Sequence, residues 1–150
     1  MKYRKLSGDE LKELEKEFID FLIVNGITAD VWEDLKVKNI AKADLIIDSF
    51  SDVVFEGIFR KVKYLDFVTP NSIKCFQCLD NEIVLIGLDS DNTSEIDFTT
   101  NDWLSNLKNV KIYNSSKVYH DVRELELFNM IQKGANISDG ELFKKLCLML

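Results

Sequence analysis

The chain has 150 residues, 46% hydrophobic and 11% aromatic, with 19 Lys and Arg against 26 Asp and Glu. That length and apolar content suit a single folded domain, residues 1–150, and exclude general disorder. A net charge of −7 and a pI near 4.8 speak against nonspecific attachment to nucleic acid or to anionic membranes, both of which reward cations.

The opening Met1-Lys2-Tyr3-Arg4-Lys5-Leu6 is basic and runs straight into Gly8-Asp9-Glu10, so no secretory signal is read. No apolar run is long enough to span a bilayer. Three cysteines, an odd number, point to reduced thiols and a cytoplasmic address.

Ser7 with Glu10 makes a capping box, and Leu11, Leu14, Phe18, Phe21 and Leu22 form the apolar stripe of a first helix that Gly26 stops. Thr28 caps a short second helix carrying Trp32 and Leu35, ending near Asn39. A long third helix runs to about Leu65. Ile46, Phe50, Val53, Val54 and Ile58 recur along one of its faces. Thr69-Pro70-Asn71 breaks the helical pattern. Strands follow at residues 73–79 and 83–88 around the hairpin signal Asp80-Asn81. Ile83-Val84-Leu85-Ile86 does not alternate, as in a central strand covered on both faces. A third strand is predicted at residues 96–99, then a short helix with Trp103, Leu104 and Leu107, then a strand at 110–113. Val122, Leu125, Leu127, Phe128 and Ile131 form a helix leading to Gly134, and Ser138 with Glu141 repeats the capping-box pattern before a last helix. The expected class is α+β: N-terminal helices, a small, mostly antiparallel sheet in the middle, and C-terminal helices.

The long helix carries the most pointed feature. Asp44, Asp48, Asp52 and Glu56 stand one turn apart, with Phe55 and Phe59 among them. Like charges at that spacing cost about 0.2–0.5 kcal/mol per pair, so the ridge requires solvation, basic groups of the chain, or a basic partner. These six residues are the candidate binding face, for a protein with a basic surface. Self-association through Phe55 and Phe59, or through Leu146, Leu148 and Leu150, is the alternative.

Cys75-Phe76-Gln77-Cys78 resembles half of a zinc site, which His120 and Cys147 would complete. Those two are not spaced as a ligand pair, and in a strand Cys75 and Cys78 point to opposite faces, so ordinary buried thiols are preferred and no cofactor or metal is expected. His120 is the only histidine, and a small enzyme using it with nearby carboxylates is the rival functional class. Its neighbour Asp121 points elsewhere in either a strand or a helix, and no nucleophile accompanies it. Asp89-Ser90-Asp91-Asn92 fails the calcium-loop pattern, with Ser94 in place of the turn glycine and Thr100 in place of the bidentate glutamate. No glycine-rich phosphate loop is present.

Several stretches together resemble a small uncharacterised bacterial family of about this length, a domain of unknown function. They are Met1-Lys2-Tyr3-Arg4 with Leu6, Glu17-Phe18-Ile19, Asn25-Gly26-Ile27-Thr28-Ala29-Asp30, Phe50-Ser51-Asp52, Val54-Phe55-Glu56 and residues 62–65 and 83–88. Gly134 and Ile137-Ser138-Asp139-Gly140-Glu141-Leu142-Phe143 complete the match. The resemblance implies no activity and transfers no catalytic residue. The function expected from the residues themselves is a non-enzymatic cytosolic interaction module with an acidic helix face, of which an inhibitor or immunity-type protein is one form.

Overall fold

The computed structural model describes residues 1–90, 96–105 and 107–150. The backbone groups into two compact units, Met1–Ile58 and Phe59–Leu150.

The first unit is helical. Ser7 accepts the Glu10 N–H while the Glu10 carboxylate accepts the Ser7 N–H, so the predicted capping box forms and opens α1 (Gly8–Glu13). The single helix expected here is two: the backbone turns at Leu14, and α2 (Glu15–Val24) follows. Gly26 stops α2 with φ +73, a conformation that glycine adopts without penalty. Thr28 caps α3 (Ala29–Lys38) through the Val31 N–H. Asn39 ends α3, and its side chain accepts the Lys42 N–H at the start of α4 (Ile40–Lys61). Phe50 of α4 is buried against the rings of Phe18 and Phe21 at 5.0 and 5.3 Å, so part of the stripe read from the sequence does face a core.

The second unit holds an antiparallel sheet, order β4-β3-β2-β1-β5, built from β1 (Tyr64–Thr69), β2 (Ser72–Cys78), β3 (Glu82–Ser90), β4 (Val110–Val118) and β5 (Asn136–Ser138). Pro70-Asn71 and Asp80-Asn81 lie in its first two turns, where the chain needs residues that leave the ladder. β3 is paired on both sides; Ile83 and Ile86 of its apolar run are buried, and Val84 and Leu85 between them are half-buried. One sheet face packs Ile73, Cys75, Ile86 and Leu88 against Phe143 and Leu146 of α6 (Glu141–Cys147), with Phe98 and Trp103 closing the cluster. Phe59 meets Phe128 of α5 (Arg123–Gln132) edge-on, with ring centroids 5.9 Å apart.

The fold is α+β as the pattern implies, but four further elements differ from the reading. The long helix ends at Lys61, not Leu65, because Tyr64 and Leu65 pair with Gln77 and Phe76 as strand. Residues 96–99 are not a strand: Phe98 donates its N–H to the Pro70 carbonyl and buries its ring. The fourth predicted strand extends to Val118. Ser138 does not cap α6. It ends β5 and accepts the Gly140 N–H, while Asp139 accepts the Glu141 N–H. Of the polar loop after β3, Asp91, Asn92 and Ser94 lie outside the described residues, whereas Asp89 and Ser90 belong to β3.

Gly140 holds φ +85, and a Cβ there would stand 2.5 Å from a ring carbon of Tyr64. Gly140→Ala is therefore expected to cost about 2 kcal/mol, lowering the midpoint of a thermal melt by roughly 4–8 °C. Gly8→Ala, where nothing lies within 4 Å of the added atom, should leave the midpoint nearly unchanged.

Candidate functional site

The ridge on α4 is already engaged. The carboxylate of Asp52 accepts the backbone N–H groups of Lys2 and Tyr3 at 2.8 and 2.9 Å. Glu56 Oε2 accepts from Lys2 Nζ at 2.8 Å and from the Tyr3 hydroxyl at 2.5 Å. Lys5 Nζ stands 3.5 Å from both Asp44 and Asp48, close enough for attraction but too far for a strong directed bond. Beside the ridge, the buried Ser51 hydroxyl accepts the Leu6 N–H and donates to the Ile47 carbonyl. A basic extended segment of the chain itself thus meets the need for counter-charge.

The two rings are not outward-facing. Phe55 is 8% and Phe59 is 3% exposed. Phe55 lies under the Tyr3 ring and the Arg4 guanidinium, the latter 4.8 Å from its centroid, and Phe59 packs on Phe128. An open docking face made of Asp44, Asp48, Asp52, Glu56, Phe55 and Phe59 is corrected on that ground: the helix turns its aromatics inward because each finds an apolar or cationic cover. The missing signal was the alternation of Lys2, Tyr3, Arg4, Lys5 and Leu6, which is the complement of the ridge written 38 to 54 residues away.

The alternative metal set is not assembled. Among the described residues, no group of three or more His, Cys, Asp or Glu is placed to hold a metal ion. Burial, with the Asp66 charge beside it, pushes the Cys75 thiol far above its ordinary range. Burial likewise pushes Cys78 up to about 12, against the pull of Arg123. Cys147 and His120 are exposed.

His120 has a carboxylate neighbour, but the contact is to its backbone: Glu126 accepts the His120 N–H at 2.8 Å and pairs with Lys117. Burial works against the Glu126 charge, yet those bonds hold its carboxyl below the usual range. Nearby, Arg123 donates to the carbonyls of Phe59, Val62, Cys78 and Leu79, and the Tyr119 hydroxyl shares the last. Helix ends leave carbonyls without intrahelical partners, and Arg123 covers them for the end of α4. This cluster fastens the end of α4, the β2–β3 turn and the start of α5 together.

What does lie open is a face of the helical unit. α2 and α3 border a cleft of about 350 Å³ lined by Phe18, Ile19, Leu22, Ile23, Ile27 and Trp32, with Glu15, Glu33 and Lys36 at its rim. Ile23 is 65% exposed and Val24 84%. A second cleft of about 580 Å³ lies beyond Ile27, lined in part by Phe21, Val31, Leu35, Leu45 and Ile46. The sequence reading assigned Phe18 and Leu22 to a core stripe. It passed over Ile19 and Ile23, which make α2 apolar on a second side.

The molecule is therefore an α+β protein with an internally matched acidic ridge and an uncovered apolar helical face. It belongs to DUF6495, a family of unknown function, which it matches over residues 1–150. No curated protein and no solved structure matches the chain. No helix among the described residues is long and apolar enough to cross a membrane.

The entry to α1 has a stated pH dependence. The hydrogen bonds from Arg4 and then from the Ser7 backbone hold Glu10 at about 2, against 4.5 for an ordinary glutamate. A carboxyl depressed on folding contributes stability in full above its unfolded value and loses it as pH falls through its folded value. The Ser7 amide resonance should accordingly titrate with a midpoint near 2, and Arg4→Ala should move that midpoint up toward 4.5.

Proposed function

We propose that this chain is a non-catalytic, cytoplasmic protein-interaction module whose docking face is the apolar surface of α2 and α3. The observation that carries the reading is the exposure of Ile19 and Ile23 at one formed cleft and of Val31 at the other, with Val24 and Val37 exposed on the same two helices. Scattered apolar residues on a surface need no explanation, but a group of them bordering a cavity marks a place where another molecule is bound. The acidic ridge of α4 supports the module from within, fixing residues 1–6 against the helix. An exposed His120 whose ring has no described partner supports binding over chemistry. The cytoplasmic placement rests on three unpaired cysteines, one of them exposed.

The double substitution Ile19→Asp with Ile23→Asp tests the face. Both side chains already meet water, so the circular dichroism spectrum should be retained and the stability change kept to about 0.5 kcal/mol. In quantitative affinity capture from native lysate, the proteins enriched by the unaltered chain should be lost by the variant. A folded variant that retains the same proteins would end the reading.

A further inference from the structure

We draw no further inference here: the strongest candidate, the apolar cleft bordered by α2 and α3, belongs to the docking face already proposed, and nothing in the structure shows what covers it, its charged lining being Glu15 with the mutually paired Glu33 and Lys36.

Discussion

Four carboxylates one turn apart on a helix repel one another, and α4 is stable because residues 1–6 lie along them. The match is specific in kind as well as in sign. Asp52 takes two backbone N–H groups, which any residues would offer, while Glu56 takes a lysine and a tyrosine hydroxyl and Asp44 and Asp48 share one lysine. Exposed ion pairs contribute little each, about 0–1 kcal/mol, so the lysines alone would not hold the segment. The burial of Tyr3 and Leu6 and the Leu6–Ser51 bond, out of water, supply the rest. Because Ser51 also donates to Ile47, a polar group in the interior of the helix is fully used.

This matching decides where function is sought. A ridge of acid is attractive as a docking site only while its carboxylates lack counter-charge; here Asp52 and Glu56 are hydrogen-bonded by residues 2 and 3, and Asp44 and Asp48 stand 3.5 Å from Lys5. The same unit leaves Ile19, Ile23 and Val24 of α2 in water.

The sequence shows most of the fold because most of its signals are local. Ser7 with Glu10, Thr28, Gly26 and the Asp80-Asn81 turn each act within three or four residues, and each does what its chemistry implies. The misreadings come from pairing across distance. Residues 62–65 continue the apolar period of α4, but Tyr64 and Leu65 are claimed by Gln77 and Phe76. Ser138 and Glu141 have capping-box spacing, but Ser138 is drawn into the sheet opposite Tyr64. Short β5 has no pattern of its own; three residues pair because β1 offers an edge. The ridge residues were visible, and so was the need for counter-charge. Their occupant was not, because nothing in a helical window points to residues some fifty positions earlier.

The cleft was hidden for a different reason. Leu22 is buried and Phe18 packs on Phe50, so the stripe read from the sequence does face inward. Ile19 and Ile23 stand one turn apart beside that stripe, and a helix that buried only one side would have polar residues there. A second apolar side has to be explained by something that covers it. In the second unit the comparable demand is met internally, since Cys75, Ile86 and Leu88 on one sheet face are covered by Phe143 and Leu146 of α6. In the helical unit, among the described residues, Ile19 and Ile23 instead border an open cleft.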